Sequence, residues 1–256
     1  MKIMSETKPY GTVLIRAKQI LDYLEQKDQP VNLQTICTSL KTSKSTVLKI
    51  LNTLCLIGFV KREEETKKYS LGISLISYGE AAKKSFSIIS VAERDLIELN
   101  NQIGETIHLG AYDQDRIVYI KKLNAKSRII LRSQVGHSVE LYCSAMGKAY
   151  LAEQKEEVVR NYLDRVRLEQ RTKHTLCDKI ALMDDLRATR QHGYAIDDQE
   201  NEEDVYCIAT SIKQNGVIRG LVSVSSPVYR MSEEKRMKII TLLQQAKRNI
   251  EQKLTN

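Results

Sequence analysis

Two groups of residues in this 256-residue chain have the types and spacing to do chemistry. The first is a short run: Ser43, Lys44, Ser45, Thr46, Lys49 and Asn52. At helical spacing Ser45, Lys49 and Asn52 share one face. A helix that opens with small hydroxyls and cations can approach a polyanion closely. Its free N–H groups favour phosphate, Lys44 and Lys49 supply phosphate contacts, and Ser45 and Thr46 can reach base edges. The second group is dispersed. Ser144-Ala145-Met146-Gly147-Lys148 opens a helix with little side-chain bulk, which makes a site for a small anion. Ser223 and Ser225 alternate along a strand and point to one side of it. Asp197 can accept hydrogen bonds from hydroxyls.

Other chemistries find no support in the residue pattern. The five cysteines (Cys37, Cys55, Cys143, Cys177 and Cys207) are odd in number and contain no Cys-x-x-Cys pair. That argues against a disulfide framework or zinc knuckle and fits a reducing cytosol. No cysteine has an evident histidine partner or a nucleophile-elbow sequence, so no catalytic residue is expected and the chain does not read as an enzyme. Cys207 reads as a small apolar wall residue. His108 reads as a structural residue of a strand and His137 as a loop residue. His174 and His192 lack ligand spacing to any cysteine or carboxylate, so neither a metal nor a cofactor is expected. No run of 18 apolar residues exists, and the first residues, MKIMSETKPYG, carry no apolar signal segment. A cytoplasmic protein without a membrane partner is the expectation.

The elements that must position these residues follow from periodicity. Apolar residues at helical spacing predict helices over Val13–Leu24, Leu33–Leu40 and Lys44–Leu56, with Pro30 breaking the chain after the first. Ser43 is placed to cap the third. Two short helices joined by the polar Lys41-Thr42-Ser43 form a helix-turn-helix. After Gly58, the runs Phe59–Arg62 and Lys67–Leu71 flank an acidic tip and predict a β-hairpin wing. Glu63–Glu65 would repel phosphate, which leaves Lys67 and Lys68 to make the backbone contacts. The charge agrees. The chain carries +8 overall, with 14 Lys/Arg against 8 Asp/Glu in residues 1–85 and 26 against 24 beyond.

Ile73–Leu99 is a long helical stretch interrupted at Gly79 and near Ser85. From residue 100 the period becomes two. Strands are expected over Thr106–Tyr112, Arg116–Leu123 and Arg128–Arg132, and a hairpin joins Cys207–Lys213 to Val217–Ser225 about Gln214-Asn215-Gly216. Helices are expected at Ser144–Leu151, through the charged stretch 155–192, and at Ser232–Leu254. The fold class is α+β, with a mainly antiparallel sheet and helices on its face.

The amino-terminal third resembles the winged helix of IclR-type bacterial transcription regulators. The residues that carry this are Ser43-Lys-Ser-Thr-Val, Leu51-x-x-Leu54, Gly58-Phe-Val and Tyr69-Ser-Leu-Gly72. The remainder resembles the effector domain of that family through Gly104-Glu-Thr-Ile-His-Leu109, Val118-Tyr-Ile-Lys121, Ser144-Ala-Met-Gly-Lys148, Gly193-Tyr-Ala-Ile-Asp-Asp198, Cys207-Ile-Ala209 and Ser223-Val-Ser-Ser-Pro227. The motifs occur in family order over nearly the whole chain. The resemblance implies a winged helix-turn-helix over 1–75, a linker helix over 76–92 and a GAF-like effector domain over 93–256. It implies a ligand-responsive regulator that binds double-stranded DNA operators as a homodimer or homotetramer. Within the family the chain looks most like the branch that represses pectin-degradation genes and senses 2-keto-3-deoxygluconate. Effector contacts then fall on Ala145, Met146, Asp197, Cys207, Ser223 and Ser225. The alternatives are an activator of the same type and a small-acid hydrolase using Cys207. Two positions depart from the family pattern: Glu140 stands where proline is common, and Tyr206 where arginine is frequent.

Overall fold

The computed structural model describes residues 11–84, 86–127 and 131–255. The chain divides into two compact units, Met1–Ser85 and Phe86–Asn256.

In the first unit, helices α1 (Thr12–Glu25), α2 (Leu33–Leu40) and α3 (Lys44–Leu56) precede strands β1 (Val60–Arg62) and β2 (Tyr69–Leu71) and helix α4 (Ser74–Lys84). Ile20, Ile36, Val47, Leu51 and Tyr69 are almost fully buried and form its core. Capping follows the sequence: Asn32 Oδ1 accepts from Thr35 N–H at 2.9 Å to start α2, and Ser43 Oγ accepts from Thr46 N–H at 3.4 Å to start α3. The wing is an antiparallel pair with Val60 opposite Leu71, and Val31 bridges to Tyr69 beside it. Phe59 meets Tyr78 of α4 edge to face, with ring centroids 5.3 Å apart.

The expected linker helix over 76–92 is two helices. The chain leaves α4 at Lys84 and re-enters helix at α5 (Ser87–Ile103). Ile88, Ala92, Leu96 and Leu99 of α5 are buried in the core of the second unit. The division between the two compact units falls at residues 85–86, within the stretch expected as the linker.

The second unit is built on strands β3 (Thr106–Asp113), β4 (Arg116–Leu123), β5 (Ser138–Glu140), β6 (Ala195–Asp198), β7 (Val205–Gln214) and β8 (Val217–Pro227). They form one antiparallel sheet in the order β5-β4-β3-β8-β7-β6. Period-two alternation sorts its side chains. Ile107, Leu109, Ile208, Ile212, Val222 and Val224 face α5 and α9 (Glu233–Thr255). The other face is covered by α6 (Ala145–Ala152), α7 (Glu156–Arg165) and α8 (Lys179–His192), through Ala195, Ala209 and Leu221. Asn215 and Gly216 both have positive φ, 52° and 77°, as a two-residue hairpin of primed type requires.

Two expectations shift. The strand expected over 128–132 falls partly outside the described residues; Leu131 and Arg132 are not in a strand, and β4 pairs with β3 on one side and β5 on the other. The charged stretch 155–192 is two helices, because residues 166–178 run without helix between α7 and α8.

Candidate functional site

Helix α3 presents Lys44, Ser45, Lys49 and Asn52 to solvent, while Val47, Ile50, Leu51 and Leu54 anchor its other side. Ser43 Oγ lies 3.2 Å from Ser45 Oγ and 2.9 Å from Thr46 Oγ1, so three hydroxyls cluster at the helix start. Thr46 is half-buried there. Lys67 and Lys68 are exposed in the wing turn, where Lys67 has φ 54° and its Nζ lies 3.2 Å from Glu64. The acidic tip thus occupies Lys67 and leaves Lys68 as the freer cation of the pair.

The second group converges. Ala145, Met146, Asp197, Cys207, Ser223 and Ser225 all line one cavity, with an empty volume of about 480 Å³ including its open mouth. Register explains the convergence. Asp197 lies opposite Cys207, Cys207 opposite Ser225, and Ser223 opposite His108. Directly paired residues share a face, so these side chains stand together on the side covered by α6.

Helix α6 starts at the cavity. Ser144 caps it, accepting from Gly147 N–H at 3.1 Å and donating to the Glu140 carbonyl at 2.6 Å. The N–H groups of Ala145 and Met146 have no intrahelical acceptor and are positioned for an anion. A glycine at 147 is required, because a Cβ there would lie 2.3 Å from Leu141 Cα and 2.4 Å from its carbonyl oxygen.

The polar wall is electrostatically unusual. Asp197 is 3% exposed, and its Oδ1 accepts from the N–H groups of Glu200 at 2.7 Å and Asn201 at 3.3 Å. Burial, reinforced by the neighbouring Glu200 charge, pushes its carboxyl up to about 7. Burial and the Lys122 cation push His108 down to about 3, so its ring is neutral. Cys207 is held protonated: burial and the Asp197 charge raise its thiol well above the usual range. A protonated thiol is a poor nucleophile, which removes the basis for a hydrolase.

His108 is also in the pocket. The sequence suggests only a structural strand residue, but its Nε2 lies 2.7 Å from Ser133 Oγ, its Nδ1 lies 3.4 Å from Ser225 Oγ, and Tyr119 stacks on its ring at 4.4 Å. Ser133 is 25 positions away in sequence, so no local spacing signals the pair. The two departures also resolve. Glu140 pairs with Arg116 at 2.9 Å. Tyr206 points to the opposite face of the sheet, where Arg236 covers its ring at 4.1 Å.

Comparison with known proteins gives a consistent picture. The family described as "IclR helix-turn-helix domain" matches residues 13–64, and "Bacterial transcriptional regulator IclR C-terminal" matches residues 80–252. The chain is 34% identical over 225 residues to the HTH-type transcriptional regulator KdgR of Escherichia coli, covering 88% of this chain and 86% of that protein. It is 34% identical over 233 residues to the regulator XynR of the same organism, covering 90% and 92%. The crystal structure of Thermotoga maritima IclR superposes with a TM-score of 0.79 at 31% identity, covering 96% of this chain and 100% of that one. The C-terminal domain of E. coli KdgR superposes with a TM-score of 0.60 at 34% identity, covering 66% and 99%.

Proposed function

Because the chain belongs to the IclR family of bacterial transcriptional regulators, we propose that it is a repressor released or tightened by a small organic acid, with 2-keto-3-deoxygluconate as the first candidate. Members of this family are helix-turn-helix DNA-binding regulators and not enzymes. The observation that carries the effector reading is the convergence of six dispersed residues on one cavity at the start of α6. In it, the Ala145 and Met146 N–H groups take the carboxylate, and Asp197, Ser223, Ser225 and His108 take the hydroxyls. Similarity to KdgR regulators supports this choice of acid. A homologue at 20% identity was crystallised with 4-hydroxybenzoate, also a carboxylate, which supports an acid as the ligand class.

Helix α3 reads the operator: Lys44, Lys49 and Lys68 contact phosphates, while Ser45, Thr46 and Asn52 approach bases. The protein works in pairs, matching operator half-sites one helical turn apart.

The test is a footprint on DNA around neighbouring genes, with and without sugar acids. A protected site whose occupancy changes with 2-keto-3-deoxygluconate is expected, and its position relative to the promoter separates repressor from activator. If no sugar acid changes DNA affinity, the effector reading falls.

A further inference from the structure

We propose that Glu200 and Lys148 are positioning residues of this pocket, acting through Asp197 so that a carboxylate effector is admitted together with a proton. The proposal rests on the reading of the cavity as an acid site. Glu200 stands in the turn after β6, and its N–H fixes Asp197 Oδ1 at 2.7 Å. Its side chain, in a residue only 7% exposed, turns inward and hydrogen-bonds Lys148 Nζ. Lys148 is fully buried, at 0% exposure, and also reaches Asp185 of α8 at 3.0 Å. It lies two positions beyond Met146 in α6, so one helix turns N–H groups towards the cavity and places an ammonium behind it.

The charges in this cluster do not balance. One ammonium pairs with two carboxylates, Asp185 and Glu200, while a third, Asp197, has its Oδ1 held by two backbone N–H groups, and the buried Glu200 Oε2 has no hydrogen-bond partner among the described residues. Buried negative charge in excess of its counter-charge is expensive, and protonation relieves it. Burial pushes Glu200 up to about 7 against the pull of Lys148, as it does Asp197.

The groups facing Asp197 from other elements do not supply the missing charge. His108 of β3 is neutral, and the Tyr119 hydroxyl of β4 and the Cys207 thiol of β7 are raised by burial and stay protonated. Before α6, burial lifts Cys143 to about 12. Glu202, in the turn after β6, is a further acid at the rim. Arg171 spends one N–H on the Asn201 carbonyl at 3.3 Å.

A carboxylate arriving beside Asp197 raises its proton affinity further. Binding then draws a proton from solvent at pH values just above 7. Well below that, the cluster is already protonated and the uptake fades. By linkage, effector affinity falls as pH rises above 7, by at most about tenfold per unit for each proton taken up.

The experiment is calorimetric titration of the full-length protein with 2-keto-3-deoxygluconate at pH 7.5, in buffers of different ionisation enthalpy. The expected wild-type result is uptake of about half to one proton and an affinity about three- to tenfold lower at pH 8 than at pH 7. Glu200→Gln keeps the shape and is expected to bind the acid with less than half that uptake and a flatter pH profile. Lys148→Met removes the ammonium and is expected to move the fall in affinity to higher pH. If Lys148→Met does not fold, Glu200→Gln decides alone. A purely structural role would lower affinity equally at every pH. Acid binding with buffer-independent heat, or full proton uptake in Glu200→Gln, overturns this proposal and leaves the pocket reading standing. Absence of acid binding to the wild type overturns both.

Discussion

Replacing Gly147 by alanine adds a single methyl group at the point where α6 rests on the chain before it. The new Cβ would lie 2.3, 2.4 and 2.6 Å from the Cα, O and C atoms of Leu141. These are backbone atoms and cannot swing aside, so restoring van der Waals contact requires the helix to retreat by about 1 Å. Overpacking against an unyielding wall costs about 3 kcal/mol, and the better helix propensity of alanine returns about 1 kcal/mol. The net loss, about 2 kcal/mol, corresponds to a fall of about 4–8 °C in the melting temperature of the second unit. The same retreat draws the Ala145 and Met146 N–H groups away from the cavity proposed to hold the acid. Losing a hydrogen bond to a charged group costs about 1.5–3 kcal/mol, or about 10- to 100-fold in acid affinity. Differential scanning calorimetry and titration with 2-keto-3-deoxygluconate read the two effects. Ligand-free DNA binding should persist, because α3 belongs to the other unit. Gly79→Ala is the control: nothing lies within 4 Å of its added Cβ, so it should be neutral or stabilise by up to about 1 kcal/mol. A Gly147→Ala protein with unchanged melting and unchanged acid affinity would refute the account of α6.

Asn32→Ala removes the acceptor that holds Thr35 N–H at 2.9 Å and should cost about 1 kcal/mol in urea unfolding of the first unit. Lys44→Ala should weaken DNA binding across sequences and reduce the slope of log affinity against log salt by about one, so an unchanged slope would exclude a phosphate contact. In iodoacetamide labelling at pH 7.5, the exposed Cys177 should react first. Cys143, buried and protonated, should react only on unfolding, and Cys207, partly buried and protonated in the cavity wall, more slowly than Cys177, as mass spectrometry of the labelled peptides would show.

Much of the fold is legible in the sequence where local rules decide it. The three amino-terminal helices, the Ser43 cap, the wing and the hairpin at Asn215-Gly216 all follow from periodicity, capping chemistry and turn preference, each written within a few residues. The site residues carried by the family resemblance do come together in one cavity. What stayed hidden depends on distant partners. His108 looks like an ordinary strand residue until Ser133 and Tyr119 close on it. Lys148 looks like part of a small-residue helix start, although its ammonium is paired across 52 positions with Glu200. The charge of the irregular stretch 166–178 resembles that of its helical neighbours, so composition alone does not separate it from helix. Thr172 and Thr175 there hydrogen-bond the Gln199 and Glu200 carbonyls, contacts invisible to any local window.

The strand order also governs when the protein can work as it is synthesised. At the sheet's centre β3 pairs with β8, so His108 meets Ser223, 115 positions later in the chain. Such non-local pairing is slow, and it cannot be complete before Ser225 has left the ribosome. The winged helix, complete by residue 84, has only short loops to close. A nascent chain therefore holds a finished winged helix well before the sheet of the second unit is complete. The interval leaves the edge of β3 that β8 will cover unpaired, as the segment at which misfolding during synthesis would start.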